Sequence, residues 1–416
     1  MKKSNLFALL FLFGQVLLAQ NLRLTIEELI YLGKVPQNNL SNIEVDKLDY
    51  DLSYDIPNDS TIKIGYLNAK GKTIIDPIYD MGLDYYGEYA NVIKDSVYGV
   101  IDKKGNTKFY KQYDKVLFYK GNVGMAVKNN LSGLINKEGK PISDFIYSRI
   151  DIFGIDCFKA TIGTGEKKQS FVLNKKGEVM FKLNAKNRSI IMADSLLIYE
   201  DVVNEKKKQG LININGNVSL KAQYDELMFE YGKDDYVFVV NNGKKGYINK
   251  KGEVIVPIIY DELGLGFNEG LLAASKNGKW GFIDKNNQVV IPFIYDDANG
   301  FYEELAFVKK GDYYGYIDKN NKIKIPFRFH NSKFAFFAQS RCVFADKETG
   351  KYGFINKKGK VIVKPIYDMA LPFYNDKALV RLNGKEGYID RKGKEVVPIK
   401  YRQLWLERNG MIRFVK

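Results

Sequence analysis

The sequence predicts an all-β chain built as a tandem array, and three observations predict it. A glycine recurs at Gly65, Gly99, Gly133, Gly210, Gly246, Gly281, Gly315, Gly353 and Gly387, with Phe171 in the fourth place, at steps of 34 to 39 residues. Three residues after each stands an Asn or Asp, and three further on a Gly or Asn. Runs rich in β-branched and aromatic residues flank that pair. Units this small cannot bury a core alone, so ten of them must stack on one another.

The chain opens on an address segment. Lys2 and Lys3 precede the short apolar run 6–13, and Leu17-Leu18-Ala19 offers a small-residue exit. Residues 1–20 therefore read as a signal peptide, too short to span a membrane. The competing reading is an N-terminal anchor that stays. Without a cysteine after the run there is no lipoprotein anchor, and no other run approaches a transmembrane span. An exported protein follows, periplasmic, at the outer surface or secreted. Residues 21–60 read as an N-terminal cap. Within it "TIEELIYL" (25–32) looks like a short helix with Thr25 as N-cap and Glu28 at the capping-box position.

Residues 61–416 are the array. In every copy the Asx residue opens a type I turn, and the next column needs a residue that tolerates positive φ. The two exceptions to glycine there, Asn287 and Asn321, are both the next-best left-handed residue. Before the turn run segments such as "GYID", and after it segments such as "EVIVPIIYD", often closed by Pro and Tyr-Asp. A third apolar run lies upstream, so each unit reads as a three-stranded meander. The terminal "NGMIRFVK" reads as a lone upstream strand closing the last unit. Repeat four, around 150–205, is the weak unit: it has Phe171 for glycine and lacks a Tyr-Asp close.

Three strands per unit fall short of the four-stranded blade of a propeller, and ten units exceed the usual four to eight. The expectation is an open, curved solenoid or superhelix, with a closed propeller-like ring as the alternative.

"KWGFIDKNNQVVIPFIYD" (279–296) resembles a unit of the WG-repeat family of bacterial proteins, named for a Trp-Gly pair. The resemblance covers roughly residues 50–416. Only Trp280-Gly281 keeps the pair, while Tyr98, Tyr314 and Tyr352 keep the aromatic. The resemblance implies a repeat scaffold and no particular chemistry.

Composition narrows the function. With 45% hydrophobic and 27% charged residues the chain is a core-forming one. One histidine and two cysteines exclude zinc fingers, iron–sulfur centres and a disulfide framework, and no cofactor is expected. His330 reads as a loop substitution at the slot where other repeats place Asp, against the reading as a catalytic base. Cys157 and Cys342 lie five repeats apart and read as buried thiols. The Tyr-Asp pairs read as strand-ending turns, since one carboxylate per unit is thin for calcium. Tyr98, Trp280, Tyr314 and Tyr352 read as packing between units, or alternatively as a platform for sugar rings.

The charge is less bland. The formal net charge is +15, and the variable positions around the ten turns carry 19 Lys or Arg against three Glu. One column holds Lys103, Lys137, Lys175, Lys250, Lys285, Lys319, Lys357 and Arg391. It is a solubilising rim or a basic ridge for an anionic polymer. The expected function is a monomeric, non-catalytic binding or scaffold protein of the cell envelope, taking an anionic polymer, a glycan or a protein. The alternative is an envelope-polymer-degrading enzyme with paired carboxylates.

Overall fold

A computed structural model describes residues 62–118, 122–152, 157–183, 192–193, 196–213, 216–229, 236–264, 266–329 and 336–416. The expected signal segment, the N-terminal cap and His330 lie outside the described residues. Contacts group the chain into two compact units, one holding 230–403 and the other 50–229 with 404–416.

Among the described residues run ten sheets, eight of four strands and two of three. The turn chemistry read from the sequence is present in all ten. Each Asx carbonyl accepts the N–H of the Gly or Asn three residues on, at 2.8 to 3.0 Å. That residue has φ between 60° and 94°, including Asn287 and Asn321. The Asx side chain closes the turn from inside, as where Asp284 Oδ1 accepts from Asn286 N at 2.9 Å and Gln288 N at 2.8 Å.

The recurring glycine has a different cause. At Gly281 a Cβ would stand 2.5 Å from the Ile291 carbonyl oxygen. Trp280 pairs with Tyr295 and Phe282 with Ile291, so the following strand bulges around Pro292 and crosses close over the glycine. The proline removes a ladder donor there, which suits a bulge on an edge strand. Repeat four holds the exception. Phe171 pairs in step with Lys182 and Ser170 with Leu183, so the partner strand passes Phe171 without that bulge. Gly99 also pairs in step, with Phe109, yet a Cβ there would stand 2.6 Å from the Lys108 carbonyl oxygen, so register alone does not decide where a side chain fits.

Two expectations are corrected. The unit is four-stranded in most repeats, not three-stranded. The extra strand is as short as Met81–Gly82, Glu262–Leu263 or Met369–Ala370, directly after the Tyr-Asp pair. Two residues carry no readable alternation, and this also explains how four strands fit a repeat of about 34 residues.

The open solenoid is also overturned. The terminal strand Met411–Val415 does not close the last repeat; it pairs antiparallel with Ile64–Asn68 of the first, from Ile64↔Val415 to Asn68↔Met411. The resulting sheet runs Gln403–Leu404, Met411–Val415, Ile64–Asn68, Thr73–Tyr79. An open array leaves its ends apart; here both ends share one sheet. The last strand thus completes the first sheet, and most sheets are four-stranded like the blades of a β-propeller.

The core lies between successive sheets. One cluster joins Leu271, Ala273, Phe282, Ile291 and Tyr295 of one blade to Ala298, Phe301, Ala306, Val308 and Ile317 of the next. Cys157 and Cys342 are buried free thiols, as expected.

Candidate functional site

The Tyr-Asp pairs fasten one blade to the next. The Asp carboxylate accepts from the hairpin turn of the following blade: Asp80 from Asp95 N at 2.6 Å, Asp114 from Asn129 N at 2.8 Å, Asp296 from Gly311 N at 2.8 Å. It also meets a lysine of its own blade, as in Lys244–Asp261 and Lys279–Asp296, both 2.5 Å, and in Lys63–Asp80 and Lys351–Asp368. These lysines hold the Asp261, Asp296 and Asp368 carboxyls below the usual carboxylate range. The tyrosine hydroxyl reaches the next blade's turn. Tyr260 donates to Asn287 Oδ1 at 2.6 Å, Tyr295 to Asn321 Oδ1 at 2.5 Å, and Tyr113 to the Gly139 carbonyl at 2.8 Å.

A second set of links joins the hairpin tips that connect the first and second strands of each blade. Glu269 sits at one tip, and its carboxylate accepts from Glu304 N of the next tip at 3.1 Å. Glu303 accepts likewise from Ser340 N at 2.8 Å, and Gln339 Oε1 from Asp376 N at 2.9 Å. Asn409 Nδ2 donates to the Tyr85 carbonyl at 2.7 Å. The basic column joins this latch: Lys319 lies 3.1 Å from the Glu269 carboxylate and Lys357 3.7 Å from that of Glu303. Burial works to raise the Glu269 carboxyl, and the Glu304 N–H with Lys319 outweighs it and holds it low.

The second blade breaks the pattern. Its tip is Tyr86-Gly87-Glu88-Tyr89, with Tyr86 and Tyr89 paired across the turn. Gly87 occupies the place of Glu269, Glu303 and Gln339. Beside it a cavity of about 350 Å³ opens between the second and third blades. Tyr86, Tyr89, Asn91, Asp102, Lys108 and Lys137 are among its lining residues. The Asn91 amide is fixed by the Phe118 backbone, donating to its carbonyl at 2.7 Å and accepting from its N–H at 2.8 Å. Tyr110 donates to the Lys137 carbonyl at 2.7 Å, and burial pushes its phenol up to about 12. The Lys137 ammonium, without a tip carboxylate at Gly87, lies 4.3 Å from the centre of the Tyr89 ring.

The other residues of the basic column stand at the same turn. Lys103 is 3.0 Å from Glu88 and Arg391 is 3.2 Å from Asp376. Lys175 and Lys285 are exposed, and Lys250 is half-buried. The aromatic column lies elsewhere, half-buried between sheets. Tyr98 packs against the cluster that includes Val100, Tyr110 and Val116. Trp280 stands opposite Tyr295 and Tyr352 opposite Tyr367. Tyr314 stacks on Phe307 at 4.5 Å and donates to Asp297 at 3.0 Å. The structure thus brings Lys137 to the cavity and leaves the aromatic column in blade packing. Tyr86, Gly87 and Tyr89 were not singled out from the sequence. Their signal was legible as the column twelve residues before the reference glycine: Gly87, Glu269, Glu303 and Asn375.

Among the described residues no helix is long and apolar enough to cross a membrane, and no group of three His, Cys, Asp or Glu side chains could hold a metal ion.

Four-stranded repeat sheets, a last strand paired into the first sheet and sheet-to-sheet fasteners define the class: a β-repeat protein with propeller-like blades. The WG containing repeat matches at residues 64–97, 98–131, 210–244, 246–280, 280–314, 314–334, 352–385 and 387–416, and the chain belongs to that family. Solved structures it is similar to include a eukaryotic initiation factor (9% identity, 79% of this chain and 98% of that one, TM-score 0.44). BamB from Moraxella catarrhalis (9%, 72% and 90%, 0.35) and AztD from Citrobacter koseri (11%, 77% and 95%, 0.31) are others. Likenesses at these scores carry no argument about function. No curated protein matches the sequence.

Proposed function

We propose that this chain is a non-catalytic binding or scaffold protein, acting in the bacterial cell envelope, that uses its blade-tip loops to hold an anionic polymer, a glycan or a protein. One observation carries the reading: the recurring carboxylates are fasteners. Asp261, Asp296 and Asp368 are each tied to a lysine and held ionised. A glycoside-cleaving acid needs the opposite, a carboxyl with a raised pKa facing a second carboxylate. In the cavity Asp102 is committed to its own turn. Burial works to raise its carboxyl, and hydrogen bonds from the Asn106 side chain and the Asn106 and Lys104 N–H groups hold it low.

The test is a glycan and lipopolysaccharide array probed with the full chain, with the supernatant analysed for released fragments. Retention without fragments is the expected result. Fragments released in step with protein concentration would establish the enzyme instead.

A further inference from the structure

We propose that the cavity between the second and third blades is a binding site for a sugar bearing a carboxylate, which takes the place of the latch group missing at Gly87. The proposal rests on the binding reading above and names its ligand.

In an array, positions that recur serve the frame, and a local departure needs its own reason. At this tip position stand Glu269, Glu303, Gln339, Asn375 and Asn409, all polar, all with φ between 48° and 52°. Gly87 is the departure, at φ 63°. The turn differs as well: the other tips are left-handed at both turn residues, whereas Glu88 is not, and a Gly-Glu turn of this kind favours glycine at its first position. Space does not force the glycine, since a Cβ on Gly87 would meet nothing within 4 Å. The turn leaves this tip without a carboxylate.

The consequence is electrostatic. Lys319 and Lys357 have a tip carboxylate from the preceding blade. Lys137, in the same column, has the face of Tyr89 instead. A ligand carboxylate near Gly87 would complete the pattern that Glu269 and Glu303 complete elsewhere. Lys108 adds a second cation to the lining, to which Asp102 and Glu138 also bring two carboxylates.

The walls suit a pyranose ring. Tyr86 is 53% exposed and Tyr89 39% exposed, each far more than the buried aromatics of the blade interiors. They are directly opposed across a two-residue turn, so their side chains leave the same face of the hairpin. Among the described tips other opposed pairs are Asn268 with Leu271, Tyr302 with Leu305, Ala338 with Arg341, Tyr374 with Lys377 and Arg408 with Met411. Among these the doubled aromatic belongs to this blade. Asn106, Thr107 and Glu138 supply donors and acceptors for hydroxyls, and about 350 Å³ admits a small oligosaccharide end.

The test is titration calorimetry of the full chain with three probes: a hyaluronan tetrasaccharide, a galacturonate tetrasaccharide and sialyllactose, each beside its carboxyl-reduced form. At least one acid form should bind, and its reduced form at least tenfold more weakly. Gly87→Glu restores the latch carboxylate at some cost in melting temperature, because its turn favours glycine, and should cost at least tenfold in affinity, well beyond the loss in Gly87→Gln. Lys137→Gln should cost a similar factor with the melt unchanged. Failure of all three probes to bind overturns the proposal, as does equal binding by the parent and Gly87→Glu. Array binding that Gly87→Glu leaves untouched also removes this site while the binding reading stands; fragment release removes that reading.

Discussion

Arg413 donates from Nη1 to the Gly82 carbonyl at 2.6 Å across 331 residues of sequence. The guanidinium is 2% exposed, its Nε is 3.0 Å from Asp84, and its centre lies 4.0 Å over the Trp405 ring. A strand from the end of the chain thus holds the start of the array through a buried cation as well as through its ladder.

Arg413→Ala should therefore act on closure. Removing one member of a buried ion pair strands the other, at a cost of about 3–5 kcal/mol. Chemical denaturation of the full chain measures it. A loss under about 1 kcal/mol would show that the ladder alone closes the array.

The turn column gives a graded prediction. Gly252 has φ 88°, and Asn287 and Asn321 occupy the same place at 60° and 61°. Gly252→Val should cost about 1–2 kcal/mol more than Gly252→Asn, since a β-branched side chain is penalised at positive φ. Equal melting temperatures for the two variants would contradict the turn assignment.

The reference glycine fails for a different reason, so its variant behaves differently. A Cβ at residue 281 would meet the Ile291 carbonyl at 2.5 Å, at ordinary φ. Gly281→Ala should lose about 1–3 kcal/mol by overpacking, and Gly281→Asn should be no milder. The contrast with the turn column is read from paired thermal melts.

The blade fasteners set an acid limit. The Asp261, Asp296 and Asp368 carboxyls lie lower in the folded chain than their ordinary values, chiefly through Lys244, Lys279 and Lys351. A depressed carboxyl stabilises the fold above its unfolded pKa, and that contribution fades as pH falls through the folded value. Stability should hold from neutrality down to about pH 4 and drop below it. The triple Asp→Asn variant should start lower and show a shallower acid slope by melting temperature; parallel slopes would assign the acid limit to other groups.

Repeat four should open first. Its third strand carries Phe171 in place of the glycine and pairs in step with Lys182. Limited trypsin digestion should cut first within about 160–210 and leave a fragment of repeats five to ten. First cuts elsewhere would place the weak unit outside repeat four.

By itself the sequence determined the repeat frame. The Asx turns, the positive-φ column with its Asn287 and Asn321, the β class, the ten units and the buried thiols were all legible, because each depends on residues within a few positions of one another. Phe171 was legible as an exception, but its in-step pairing with Lys182 was not. Closure was decided by tertiary structure alone. The strand 411–415 reads the same whether it completes the last repeat or the first, since its alternation does not name its partner. The two-residue strands were invisible for want of a period, so the blade looked one strand short. The cavity needed both levels: the tip column stands in the sequence, but only the fold places Lys137 over the Tyr89 ring of that tip, beside the cavity.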